Sequence, residues 1–261
     1  MLAESLEGIL ILIIILGFLG AFLDGSLGMG YGLLSPILIA LGLDPLVVVP
    51  MLLLSQMTTG LSVTIFHVLF KNFNLSSNDK QDLKSTILFV ITGLIGMTVA
   101  IFIATHLSKE FVMLYIGIII IIAGILMLPK KQFDFSWKRM YILSGIGSFN
   151  KAISGGGYGP VMTIGQITSG REAKESVAVT DLSEAILSGY GFFLYILLEN
   201  FSERVLLTIE LGLIMIISGL IATPLGALFT KKLDKKVAKK IIGLLSISIG
   251  IFTIVRFGLI I

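Results

Sequence analysis

The residues able to do chemistry in this chain are few, and most sit inside apolar runs. Two glycine clusters come first. Gly28-Met29-Gly30-Tyr31-Gly32 lies in one, and Gly155-Gly156-Gly157-Tyr158-Gly159 in the other. Glycine tolerates backbone conformations closed to other residues, so such a cluster lets a helix stop and restart. A helix that restarts at membrane depth turns unpaired N–H groups and a partial positive charge into its surroundings. That is an anion site in outline. Pro160, directly after Gly159, suits the first position of a restarting helix, and Pro36 plays a looser version of this role in the first half. The substrate-binding candidates are Ser26, Gly28, Gly30, Tyr31, Asn150, Lys151, Ser154, Gly155, Gly156, Gly157 and Tyr158. The competing reading is that the glycines let membrane helices pack closely and the tyrosines belong to that packing.

Ionisable groups inside apolar runs are costly, which marks each as a functional candidate. Asp24 and Lys151 occupy the same place in the two clusters, just before the break. Either they pair with each other, or Lys151 is the positive charge that attracts and selects an anion. Thr180, Asp181, Glu184 and Ser188 fall on one side of a helix, and Gln56 and His67 lie three turns apart along one face. Asp24, Gln56, His67, Thr180, Asp181 and Glu184 are therefore the polar or coupling candidates, through substrate contact, proton transfer or helix-to-helix bonding. Two histidines and no cysteine argue against a metal site, and no cofactor is expected. No nucleotide-binding motif appears, so ATP-driven pumping by this chain is not expected.

The elements that position these groups must lie in lipid. The chain has 261 residues, 56% hydrophobic and only 13% charged, with a mean hydropathy of +1.03. Soluble domains carry about 25% charged residues. The small net charge of +3 is spread over short loops, which is a topology signal and not a nucleic-acid-binding stripe. Lipid and a small anion are the expected partners. The first residues include Glu4 and Glu7 and no basic residue, the wrong charge for a cleavable signal peptide.

Eight apolar runs are legible: Gly8–Leu43, Pro45–Phe70, Ser85–Leu107, Phe111–Leu128, Tyr141–Ser169, Ser176–Leu198, Val205–Thr230 and Ile241–Ile261. The chain also repeats. Phe22 and the first glycine cluster recur 127 residues on, as Phe149 and the second cluster. Ile91-Thr92-Gly93-Leu94-Ile95 matches Ile217-Ser218-Gly219-Leu220-Ile221, and Leu107, Lys109, Gly117 and Gly124 match Leu233, Lys235, Gly243 and Gly250. The expected units are 1–128 and 129–261, within one membrane domain.

Charge decides between two topologies. If every run crosses once, nine basic residues fall on each face. If the two glycine-broken runs enter and return on one side, 15 fall on one face and 3 on the other, with Lys151 inside a break. The second arrangement carries the asymmetry of a real topology. The expectation is an all-α polytopic membrane protein of two inverted-topology repeats. Each repeat has a glycine-broken re-entrant helical pair plus three transmembrane helices, with both termini outside. Inverted repeats with broken helices at mid-depth belong to transporters.

At these residues the chain resembles the sulfite exporter TauE/SafE family, the toluene-sulfonate uptake permeases. The resemblance rests on Gly25-Ser26-Leu27-Gly28-Met29-Gly30-Tyr31-Gly32-Leu33-Leu34-Ser35-Pro36, on Ser154–Pro160, and on Ala178-Val179-Thr180-Asp181. Met29 stands where the pattern has its middle glycine, and Asp181 where it has a small polar residue. The resemblance implies a permease of the cytoplasmic membrane that moves sulfite, a related sulfur oxyanion or an organosulfonate. The other readings are an intramembrane enzyme, for which no converging nucleophile–base set can be named, and an anion channel.

Overall fold

The computed structural model describes residues 2–73, 81–104, 106–127, 136–155, 158–198, 203–232 and 234–258. These residues form ten α-helices and no strand: α1 (Leu2–Leu27), α2 (Gly30–Ala40), α3 (Pro45–Leu69), α4 (Gln81–Ala104), α5 (Lys109–Met127), α6 (Trp137–Ser154), α7 (Tyr158–Thr168), α8 (Ala173–Leu198), α9 (Glu203–Lys231) and α10 (Lys235–Gly258). Five described segments are long and apolar enough to cross a membrane: Gly8–Leu27, Pro45–Leu69, Gln81–Ile103, Ala173–Leu198 and Arg204–Lys231. The two runs read as broken are indeed two helices each. The short members, α2 and α7, have 11 residues apiece, about 16 Å of helix, too short to span a bilayer.

Both breaks have the same local chemistry. Gly28 has φ +68° and donates its N–H to the Asp24 carbonyl at 2.6 Å. Gly155 has φ +75° and donates to the Lys151 carbonyl at 2.7 Å. This left-handed glycine turn closes off a helix by satisfying one of its last carbonyls. Gly156 and Gly157 lie outside the described residues. The helices that restart do not begin at proline. Pro36 is the seventh residue of α2, and Gly30 begins that helix. Pro160 is the third residue of α7, still in the first turn, where a missing N–H breaks no helical bond.

After each break the chain doubles back. A Cβ built on Gly30 would fall 1.8 Å from the Gly20 carbonyl oxygen, and one on Gly20 would meet Leu34. So α2 runs back along α1. Likewise Met162 packs on Gly147, and Leu143 on Gly165, so α7 runs back along α6. The tips of the two hairpins meet. A Cβ on Gly159 would lie 2.3 Å from the Gly28 carbonyl oxygen, and the Thr163 hydroxyl donates to that oxygen at 3.2 Å.

The central pair α3 and α8 run antiparallel, with Gly60 against Ala185 and Gly189 against Met57. On α4 and α9 the matched pentads divide the same way. Gly93 packs inward against Leu187 and Ser148, and Gly219 against Thr59 and Ala21. Ile91, Ile95, Ile217 and Ile221 are each more than half exposed. Small residues inside and large apolar residues outside are what a bundle in lipid requires. The interior, by contrast, holds many of the polar groups.

Candidate functional site

Four side chains meet at the centre. Gln56 is the twelfth residue of α3, and Glu184 is the twelfth residue of α8. Both therefore sit near the middle of long central helices. Asp24 and Lys151 are each fourth from the end of their helices, α1 and α6. Lys151 Nζ donates to Glu184 Oε1 at 2.9 Å and to Gln56 Oε1 at 2.5 Å. The Gln56 amide group donates from Nε2 to Asp24 Oδ2 at 2.9 Å. Ser188 Oγ reaches Gln56 Oε1 at 3.4 Å. All of these groups are buried. Of the two readings of Asp24 and Lys151, the direct pair does not form. Gln56 stands between them, and the direct ion pair of Lys151 is with Glu184.

Each restarting helix has a carboxylate at its first turn. Met29, at the N-cap, makes no side-chain cap bond. Instead the Gly30 N–H donates to Asp24 Oδ1 at 3.0 Å. At α7 the Gly159 N–H interacts favourably with the Glu184 carboxylate. A carboxylate offsets the positive end of a helix dipole, so the two helix starts hold anions that belong to the protein. Glu184 Oε2 is buried with no hydrogen-bond partner among the described residues.

The tyrosines after each break point to matching hydroxyls. Tyr31 Oη bonds Ser55 Oγ at 2.8 Å and Thr59 Oγ1 at 2.9 Å. Tyr158 Oη bonds Ser183 Oγ at 3.0 Å. Both rings are fully buried, and these bonds tie each short helix to α3 or α8. Other candidates bond to groups outside this cluster. The Ser26 hydroxyl bonds back to Leu23, and the Ser154 hydroxyl to the Asn150 carbonyl. Asn150 Oδ1 accepts from the Tyr115 hydroxyl.

Two buried networks flank the centre. His67 Nε2 lies 2.8 Å from Asp181 Oδ2. Asn72 Nδ2 donates to the Ala227 carbonyl at 2.8 Å and lies 3.0 Å from His67 Nδ1. The Ala227 bond fixes the amide with its NH2 toward the ring, so Nδ1 accepts and Nε2 carries the proton given to Asp181. His67 is thus neutral. In the second network Thr180 Oγ1 lies 3.2 Å from Thr163 Oγ1 and accepts from Gln166 Nε2 at 2.9 Å. Gln166 Oε1 accepts from Arg171 at 2.9 Å. Arg171, in the loop between α7 and α8, also bonds Ser85 and forms an ion pair with Asp82 on α4. Burial pulls the Arg171 pKa below its ordinary value, and Asp82 opposes that shift.

Sequence reasoning missed Ser55, Thr59, Ser183, Thr163, Gln166, Asn72 and the Asp82–Arg171 pair. One signal was available. Ser55 follows Tyr31 by 24 residues, and Ser183 follows Tyr158 by 25.

The comparisons with known proteins agree with a transporter. The chain is 28% identical over 250 residues to the Bacillus subtilis (strain 168) protein named "Probable membrane transporter protein YtnM". The alignment covers 90% of this chain and 79% of that protein. No solved structure matches. The profile of the sulfite exporter TauE/SafE family matches residues 13–253. This membrane protein belongs to the sulfite exporter TauE/SafE family of transporters.

Proposed function

We propose that the chain is a secondary carrier of the cell membrane for a small sulfur anion, either sulfite, a related oxyanion or an organosulfonate. One observation carries this reading. Two broken helices start against each other in the middle of the bundle, and both starts lie close to the buried ammonium of Lys151, one through Glu184 and the other through Asp24 and Gln56. Helix starts and a cation are the groups that bind an oxyanion. The anion lies against Gly28, Gly30, Gly155, Gly159 and Lys151.

The architecture follows as two inverted repeats, 1–128 and 129–261, each a re-entrant pair followed by three crossings. Helix order supports it. Long, short, long, long, long occurs in α1–α5, and α6–α10 run in the same order with a shorter leading helix. Asp24 and Lys151, Gln56 and Glu184, and the two tyrosines are equivalent pairs. Two contacts favour the inverted topology over eight single crossings. Arg171 pairs with Asp82, at the start of α4. Asn72, beside Lys71, bonds Ala227, one turn before Lys231. Both contacts join loops that the inverted arrangement puts on the basic, cytoplasmic face and the other arrangement puts on opposite faces. With the basic face inside, both termini are outside.

The test is counterflow in proteoliposomes without nucleotide. A carrier preloaded with unlabelled sulfite accelerates entry of labelled sulfite, and taurine-like sulfonates, thiosulfate, sulfate and chloride compete in graded order. Entry that neither saturates nor responds to preloading contradicts the carrier reading. Competition by chloride but by no sulfur anion contradicts the substrate.

A further inference from the structure

With its carboxylates ionised, the centre of the molecule carries the wrong charge for an anion site. Asp24, Asp181 and Glu184 lie within electrostatic reach of one another, and the one cation among the described residues of this cluster is Lys151. His67 contributes no charge, because Asn72 fixes its Nδ1 as an acceptor. The groups facing Glu184 come from four helices. Lys151 is on α6, Gln56 on α3, Gly159 with Tyr158 on α7, and Asp181 one turn away on α8. Asp24 faces Gln56 and the Gly30 N–H, with Lys151 beyond. A surplus of buried negative charge is costly in a membrane interior.

We infer that Asp24 and Glu184 are resident occupants of the anion site, and that the transported anion enters only as protons neutralise them. This inference rests on the anion-carrier reading above. The carboxylates occupy the groups an oxyanion needs: Asp24 accepts from the Gly30 N–H, and Glu184 accepts from the Lys151 ammonium and faces the Gly159 N–H. While they are ionised, those donors are occupied and an incoming anion meets like charge. A proton from solvent on a carboxylate oxygen turns the group into a neutral acid. Glu184 Oε2, buried and without a partner among the described residues, is an open position for it. The neutral acid gives up the helix start and Lys151, and the anion takes them. On release of the anion the proton leaves and the carboxylate returns. No other bond changes. Anion and proton therefore cross together, at least one proton for each anion.

The equivalence of the four residues strengthens the point. At mid-depth the two halves place Asp24 opposite Lys151 and Gln56 opposite Glu184. A symmetric site of two ammonium groups would bind an anion at any pH. Replacing one ammonium by a carboxylate makes the affinity conditional on a proton.

The experiment is calorimetric titration of the purified wild-type protein, Glu184→Gln and Asp24→Asn at several pH values between 6 and 8. The probes are thiosulfate and chloride, which do not change charge over that range, and sulfite. Wild-type affinity for the anion that binds should rise by about tenfold per unit fall in pH where one proton is linked. Proton uptake should accompany binding in weak buffer. Glu184→Gln, and more weakly Asp24→Asn, should bind more tightly than wild type at pH 8 and lose part of the pH slope. Sulfur-anion binding that is independent of pH and takes up no proton overturns the inference and leaves the carrier reading standing. Chloride binding with the expected slope, and no binding of any sulfur anion, upholds the inference and removes the proposed substrate. Absence of binding by all three proteins at every pH overturns it as well. Should a variant fail to fold, the wild-type slope and proton uptake decide alone.

Discussion

Lys151 and Glu184 form a buried ion pair, Nζ to Oε1 2.9 Å, between the broken helix α6 and the centre of α8. Removing one partner of a buried pair leaves an uncompensated charge and costs about 3–5 kcal/mol, whereas removing both is far milder. Lys151→Gln and Glu184→Gln should therefore each lower the unfolding temperature in detergent, and the double variant should unfold above either single one. Rescue of Lys151→Gln by Asp24→Asn should be weaker, because Gln56 separates those two groups. Equal rescue by both partners would show that Glu184 is not the principal counter-charge.

Gly159 sits against the Gly28 carbonyl, where the two hairpin tips touch. A methyl there has no space, and overpacking costs about 1–3 kcal/mol when backbone must move. Gly159→Ala should lower the melting temperature and suppress transport while the protein still reaches the membrane. Gly145 is the control, since nothing lies within 4 Å of its missing Cβ. Gly145→Ala should match wild type in both assays.

His67 and Asp181 join α3 to α8, and the other oxygen of Asp181 has no partner among the described residues. His67→Ala leaves that buried carboxyl with no donor from α3, at a cost of about 1–3 kcal/mol. Asp181→Asn keeps an acceptor for the Nε2 proton and should cost less. Thermal unfolding of the two variants gives the order. A less stable Asp181→Asn would mean that charge, not hydrogen bonding, holds the pair.

The topology makes a prediction of its own. Native cysteine is absent, so single cysteines can be placed freely. Ser108 and Asp234 are exposed at opposite ends of the bundle in the inverted arrangement. Ser108→Cys should react with an impermeant maleimide from outside, and Asp234→Cys only from inside. Labelling of both from the same face would restore the arrangement of eight single crossings.

How much of this was legible beforehand depended on sequence distance. Local signals read well. Gly28 and Gly155 break the helices where glycine clusters occur, and the stripe of Thr180, Asp181, Glu184 and Ser188 is buried, as its spacing requires. Partnerships across the bundle did not read. Lys151 meets Gln56 from 95 residues away, and Arg171 meets Asp82 from 89. Periodicity gives the face on which a side chain lies but not the helix it faces. The prolines misled for a simpler reason. A preferred first position for proline is a tendency, and in α2 a carboxylate six residues before Gly30 caps the helix instead. Helix starts also looked vacant in sequence, because the charges that fill them come from α1 and α8.

The central claim is that Lys151 is the charge that holds the transported anion. Initial uptake of labelled sulfite by proteoliposomes, at matched protein content and without ATP, tests it most directly. Wild type should show saturable uptake. Lys151→Gln should bind and transport about tenfold less or worse, equivalent to about 1.4 kcal/mol of lost binding, and Lys151→Arg should retain part of the activity. To separate lost charge from lost folding, Lys151→Gln/Glu184→Gln is measured beside them. It should recover stability but not uptake. Uptake at the wild-type rate by either protein lacking the ammonium would contradict the account.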